Sequence, residues 1–141
     1  MIHDVLVNSI APVCDRSGRR LEVFPPESLS ESGDGSLELE ILYPGTVRAW
    51  YRYDAVEWFC GIGGMIQLVL FDGRRRSPTF GELQEIFTGE YQVQVVKIPP
   101  GVYRGWKLLS GAEGRILRLL TRPGAIGQTL PPDSDLIPYQ W

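Results

Sequence analysis

No stretch of this chain sustains an apolar period of about 3.6 residues over several turns, while short apolar runs alternate with turn-forming residues from one end to the other. Such a pattern excludes a helical bundle and leaves short strands, joined by tight turns, as the way to bury apolar side chains. Sixteen glycines and eleven prolines fall between the apolar runs and not in one tract, which is how many turns are written. About seven to nine short strands suit a single domain over residues 1–141, all-β, of the double-stranded β-helix or jelly-roll type.

Taken in order, Val5, Leu6, Val7 and Ile10 start a strand, and Leu21, Val23 and Phe24 alternate with Glu22 as another. Residues 25–35 (PPESLSESGDG) are too polar to bury much area and read as a surface loop. Residues 36–43 (SLELEILY) alternate Leu37, Leu39, Ile41 and Tyr43 with Glu38 and Glu40, a half-exposed strand. In residues 46–53 (TVRAWYRY), strict alternation puts Val47, Ala49, Tyr51 and Tyr53 on one face and Arg48, Trp50 and Arg52 on the other. A face with two arginines beside a Trp is either solvated or pocket-lining. Residues 61–64 (GIGG) read as a turn, since no helical pattern follows to make them a dinucleotide loop. Arg74, Arg75 and Arg76 read as a solvated turn. Leu83, Ile86 and Phe87 fit a helical turn or a strand. Residues 92–98, 102–109 and 115–121 are strands, the last two separated by a turn at 110–114, and the proline-rich tail ends in Ile137, Tyr139 and Trp141, which should dock on the barrel.

A formal charge of −3 gives no electrostatic reason to expect nucleic acid as a partner. Residues 62–71 are interrupted by Gln67 and too short to span a bilayer, and the first fifteen residues lack the pattern of a signal peptide, so no membrane partner and a soluble, cytoplasmic protein are expected. Cys14 and Cys60 form no CxxC or ligand cluster and read as two unpaired, partly buried thiols.

Two stretches resemble a known family. Asp72, Arg74, Ser77, Pro78, Thr79, Phe80 and Gly81 match, in order and spacing, a strand-ending acid followed by an Arg-containing turn and Ser-Pro-Thr-Phe-Gly; Ile98 to Trp106 (IPPGVYRGW) is similar to Ile-Pro-x-Gly-Phe-Ala-His-Gly-Phe. Both belong to the dTDP-4-dehydrorhamnose 3,5-epimerase family of cupins. Asp15, Gly18, Glu22 and Phe24 fall on its N-terminal motif, Val47 to Tyr51 looks like its Leu-Arg-Gly-Leu-His segment, and Asp133 and Ile137 resemble its closing positions. The resemblance implies a jelly-roll cupin, a homodimer whose N-terminal segments reach across to hold a nucleotide, and a nucleotide-sugar ligand.

The departures fall on the chemistry. The family removes protons alpha to a ketone with a His paired to an Asp, helped by a second His, a Lys and a Tyr. This chain has one histidine, His3; Tyr51 stands at the base position, Arg104 at the second His, and residues 121–124 (TRPG) where the donor Tyr would fall, while Glu57 lies near the Lys position and Ser17, beside Arg16, at a phosphate-side Arg. Without a His to orient, Asp133 loses its family role. One His cannot build the metal sites of other cupins, so neither a metal nor another cofactor is expected. The candidates are Tyr51 and Asp133 for catalysis and Arg16, Glu22, Arg48, Arg104, Tyr103 and Trp106 for binding.

A base for such protons works best with a pKa near the working pH, and an unassisted phenol lies at about 10. Tyr51 would need cations converging on it, and Arg48, Arg52 and Arg104 are those the sequence offers. Arg104 itself does not deprotonate and can serve as a clamp but not as a base. Three readings follow: a binder of a nucleotide sugar or related saccharide without the usual epimerisation, an active epimerase or isomerase with Tyr51 as the replaced base, and a structural dimeric cupin without ligand.

Overall fold

The computed structural model describes residues 1–31, 33–122 and 127–141. Its elements are β1 (Leu6–Ser9), β2 (Val13–Asp15), β3 (Gly18–Arg20), α1 (Pro26–Glu31), β4 (Ser36–Leu42), β5 (Val47–Tyr53), β6 (Glu57–Asp72), β7 (Leu83–Gly89), β8 (Gln94–Ile98), β9 (Val102–Leu120) and β10 (Gly127–Thr129). The long strands β6 and β9 run antiparallel from the Glu57 and Leu120 pair to the Asp72 and Val102 pair. One half of β9 carries β4 and the other carries β5; β6 is likewise shared between β8 and β7. β1 extends the sheet beyond β8, and β10 beyond β5. The all-β jelly roll expected from the turn-rich pattern, of the cupin type that the family resemblance implies, is the architecture observed. Among the described residues no helix is long and apolar enough to cross a membrane.

Two glycine-rich runs that read as turns lie inside the long strands instead. A Cβ on Gly61 would sit 2.5 Å from the Thr88 carbonyl oxygen and one on Gly63 2.9 Å from the Arg115 Cβ, while Gly64 has φ +65°. Register shifts occur at these same positions. In β9, Gly111 has φ +109°, and its Cβ would stand 3.0 Å from the Gly64 Cα. These glycines let both strands bend and pack closely as they pass from the half that carries β4 and β8 to the half that carries β5 and β7, a task that looks like a turn in composition but keeps the strands continuous.

The interior is filled by Phe59, Ile66, Leu68, Leu70, Val96, Ile98, Trp106 and Ile116, with Ile2 and Val5 joining the same cluster. β4 faces it the other way round from an apolar-in reading. Glu40 and Leu42 are buried, whereas Leu37 and Leu39 are 65% and 54% exposed. Pairing forces this: Glu38 and Glu40 stand opposite Arg118 and Ile116 on the inner side of β9, and Leu37 and Leu39 opposite Leu119 and Leu117 on the outer.

Residues 21–24 are not a strand; the N-terminal pairing occurs earlier, in the β2 and β3 hairpin. Asp15 sets its turn, accepting hydrogen bonds from the Ser17 amide (2.7 Å), the Ser17 hydroxyl (2.6 Å) and the Gly18 amide (3.2 Å). Val23 and Phe24 pack as loop residues against the cluster of Trp58, Cys60, Val95 and Leu119. The loop expected at 25–35 contains α1, started by Pro26 and held by Ser28, whose amide and hydroxyl both donate to the Pro25 carbonyl; Ser32 lies outside the described residues. Residues 83–89 resolve as a strand, paired along β6. Cys14 is exposed rather than partly buried, and burial pushes the Cys60 thiol up to about 12.

Arg74 is not part of a solvated turn, although Arg75 and Arg76 are exposed. The buried carboxylate of Asp72 accepts from Arg74 Nε (2.9 Å), Ser77 Oγ (2.6 Å), Thr79 Oγ1 (2.7 Å) and the Arg74 amide (3.1 Å). Arg74 also donates to the His3 carbonyl at 2.7 Å and the His3 amide donates to Thr79 Oγ1, so this loop fastens the segment that buries Ile2 and Val5. Burial alone would raise Asp72, but the Arg74, Ser77 and Thr79 hydrogen bonds outweigh it and hold the carboxyl well below the usual carboxylate range. At the other end of the chain, Ile137, Tyr139 and Trp141 dock on Trp50, Val69 and Phe71 as expected.

Candidate functional site

The inner face of β5 is set by a break in its alternation. Arg48 pairs with Trp106 and Tyr51 with Arg104, so three steps along β5 match two along β9. Ala49 and Trp50 both turn outward to the tail cluster, and Trp50 exchanges backbone hydrogen bonds with Leu130. Arg48 therefore shares the inner side with Tyr51 and Tyr53, contrary to strict alternation. Arg52 stays outside, over the Tyr103 ring at 5.2 Å.

Within the barrel these residues meet an ion-pair network. Arg104 is fully buried; its Nη1 lies 3.2 Å from Glu57 Oε1 and its Nη2 donates to the Val102 carbonyl at 2.7 Å. The other Glu57 oxygen accepts from Arg118 Nη2 at 2.7 Å and Nε at 3.2 Å. Arg118 Nη2 also reaches the Tyr53 hydroxyl at 3.4 Å, while its Nη1 stands 3.7 Å from Glu38 and 3.8 Å from Glu40. Between β4 and β5, Arg48 Nε meets Glu40 Oε1 at 2.6 Å. Rings line the same space: Arg118 lies 4.7 Å over Trp106, Arg104 5.1 Å over Tyr53, and Tyr51 5.4 Å from Trp106.

Charge placement decides what this arrangement can do. Burial lowers the Arg104 proton affinity and the Glu57 charge opposes it, yet guanidinium does not act as a base in proteins. Burial also works against the Arg118 cation, but Glu57 and the Tyr53 hydroxyl outweigh it and raise its pKa. For Glu40 burial wins over Arg118 and Arg48, and its carboxyl is raised. The cations expected to converge on Tyr51 do not: Arg48 is paired with Glu40, Arg104 with Glu57, and Arg52 points away. The result is a set of fixed donors, acceptors and aromatic faces suited to an oxygen-rich ligand.

Of the residues singled out in the sequence, Arg48, Tyr51, Arg104 and Trp106 come together here. Tyr103 faces outward with Phe71, and Asp133 is exposed in the tail. Arg16 is exposed at the tip of the hairpin; Glu22 is exposed beside a groove of about 280 Å³ formed with Asn8, Ile10, Pro25, Pro26 and Val95. Pro123 and Gly124, in the stretch aligned with the donor Tyr, lie outside the described residues. Arg118, Glu40 and Tyr53 were not singled out. Their signal was present for Arg118, which alternation places on the same face as Ile116. A cavity of about 330 Å³, lined by Arg52, Tyr53, Asp54, Pro100, Gly101, Gly127 and Gln128, opens beside the turn that begins β9.

No protein-family model matches the chain. It is 33% identical, over 98% of its length and 88% of the relative's, to the probable low-salt glycan biosynthesis epimerase Agl13 of Haloferax volcanii. Among solved structures, the dTDP sugar isomerase of Desulfovibrio desulfuricans G20 matches with a TM-score of 0.88 at 25% identity, over 99% of this chain and 92% of that one. The dTDP-4-dehydrorhamnose 3,5-epimerase of Bacillus anthracis str. Ames, with TDP and pyrophosphate bound, shares the fold at TM-score 0.83 and 16% identity, over 98% of this chain and 85% of that one. With the Asp72 to Gly81 motif and the bent-strand barrel, these likenesses place the chain in the dTDP-4-dehydrorhamnose 3,5-epimerase-like family of cupins.

Proposed function

We propose that the protein binds a nucleotide sugar or related saccharide in its barrel, beside the Arg48 and Glu40 pair that joins β4 and β5, without the family's histidine-dependent epimerisation. Arg104 carries this reading. The guanidinium at the family's second His position is fully buried and tied to Glu57 and to the Val102 carbonyl, so it can take no proton from a substrate carbon. The half-buried ring of Tyr51, backed by the buried Trp106, offers an aromatic surface to a pyranose or base, and the cavity beside Tyr53 offers room for the rest of the ligand. Identity of 33% to a protein named an epimerase supports a second reading, active epimerisation or isomerisation with Tyr51 as the replaced base.

Incubation with a dTDP-4-keto-6-deoxyhexose in deuterium oxide distinguishes the two. Under the binding reading, NMR shows no exchange of ring protons alpha to the ketone, while calorimetry detects binding of dTDP, UDP or GDP sugars that weakens about tenfold or more in Arg118→Ala. Exchange would establish the catalytic reading. Absence of binding across the panel would leave a structural cupin.

A homodimer belongs to the same proposal. Leu37 and Leu39 are exposed on the outer face of β4 beside the half-buried Leu117, and an exposed apolar stripe of this kind marks an interface. Light scattering is expected to give twice the chain mass, falling to the monomer in Leu39→Glu. A monomeric wild type would remove the dimer from the proposal.

A further inference from the structure

The two oxygens of the Glu40 carboxylate have unequal surroundings. Oε1 accepts from Arg48 Nε at 2.6 Å and lies 3.4 Å from Trp106 Nε1. Oε2 is buried with no hydrogen-bond partner among the described residues, and Arg118 Nη1, at 3.8 Å, is beyond hydrogen-bond reach. Arg118 uses Nε and Nη2 on Glu57, which leaves Nη1 between Glu38 and Glu40 at 3.7 and 3.8 Å. An acceptor and a donor thus face each other across a gap that neither closes. A buried carboxylate oxygen left in this way is costly.

A hydroxyl satisfies both groups at once, donating its hydrogen to Glu40 Oε2 and accepting from Arg118 Nη1. Phosphate or carboxylate oxygens can only accept, and here they would meet Glu40 and Glu38. The gap borders on solvent, since the Glu38 and Arg48 side chains at its rim are 65% and 46% exposed. Trp106 is buried beneath both groups, its ring under Arg118 and its Nε1 donating to Glu40 Oε1, and so holds them in place.

We propose that Glu40 is the specificity-determining residue of this site, accepting a hydrogen bond from a sugar hydroxyl on Oε2 while Arg118 donates to the oxygen of that hydroxyl, so that hydroxylated sugars are selected over sugars carrying a carboxylate. The inference rests on the reading of the barrel interior as a nucleotide-sugar site.

Calorimetry of the full chain tests it with dTDP, dTDP-glucose, UDP-glucose and UDP-glucuronate. In the wild type, dTDP-glucose is expected to bind about tenfold tighter than dTDP, and UDP-glucose about tenfold tighter than UDP-glucuronate. Glu40→Ala should erase the advantage of dTDP-glucose over dTDP while leaving dTDP affinity within about twofold. Equal or tighter binding of UDP-glucuronate by the wild type overturns the proposal without recourse to any variant. So does a Glu40→Ala protein that keeps the dTDP-glucose advantage, or one that loses dTDP and dTDP-glucose affinity in parallel. Failure of the wild type to bind any of the four defeats the nucleotide-sugar reading itself.

Discussion

Glu57→Ala is expected to destabilise the protein by about 3–5 kcal/mol, the range for removing one partner of a buried ion pair. Glu57 is 1% exposed and serves two guanidiniums. Arg118 retains part of its support, because it is 13% exposed and has Glu38 and Glu40 within 4 Å. Arg104 has no such recourse. It keeps the Tyr53 ring and the bond to the Val102 carbonyl, and its Nε already has no partner among the described residues. Glu57→Gln should cost less, since the amide oxygen still accepts. Joint replacement of Glu57 and Arg104 by leucine should recover much of the loss, because an apolar pair removes the buried charge along with its partner. Urea unfolding measures all three variants; a loss below about 1 kcal/mol in Glu57→Ala would mean that Arg104 reaches solvent or another acceptor in solution.

The second large effect is at the opposite end of β6. Asp72→Asn is expected to cost about 3 kcal/mol at neutral pH, because a fully buried acceptor of hydrogen bonds from Arg74, Ser77 and Thr79 loses its charge. The pH dependence has a definite sign. The native carboxyl holds its proton less tightly than the ordinary value of 3.8, so its stabilisation is complete above that value and is lost as pH falls toward the lower native one. Wild type and variant should therefore converge in stability below about pH 4 and differ most above about pH 5. A gap that stays constant from neutral pH into acid would show that the Asp72 charge contributes nothing.

The Asp72 hub stands in the sequence as a local motif, although the charge run makes its Arg74 read as part of a solvated turn. Its acceptor and donors lie within eight residues, Asp72 to Thr79, so their spacing alone encodes the contact. The ion-pair network was harder to read, since Glu40 comes from β4, Glu57 from β6 and Arg104 and Arg118 from opposite ends of β9. Strand pairing decides which face of each points inward, and for β4 the hydrophobic pattern points the wrong way because Leu37, Leu39, Ile41 and Tyr43 all lie outside. In β5, the slip between Arg48 and Tyr51 comes from tertiary pairing with β9 and from Leu130 binding Trp50, neither of which has a local signature. Fold class needed no such information, because turn frequency and the short apolar runs already exclude the alternatives.

The glycine bends in β6 and β9 also govern how a ligand can enter. Glu57 and Arg118 sit on the half of the sheet that carries β4 and β8, Tyr53 and Arg104 on the half that carries β5 and β7, yet β6 and β9 run unbroken through both. Hinging these halves apart like a clamshell would have to flex the bend where Gly64 and Gly111 leave no room for even a Cβ. The gatekeepers are therefore side chains. Swinging Arg48 away from Glu40 opens the interior at the cost of one half-exposed ion pair, with the backbone frame left at rest.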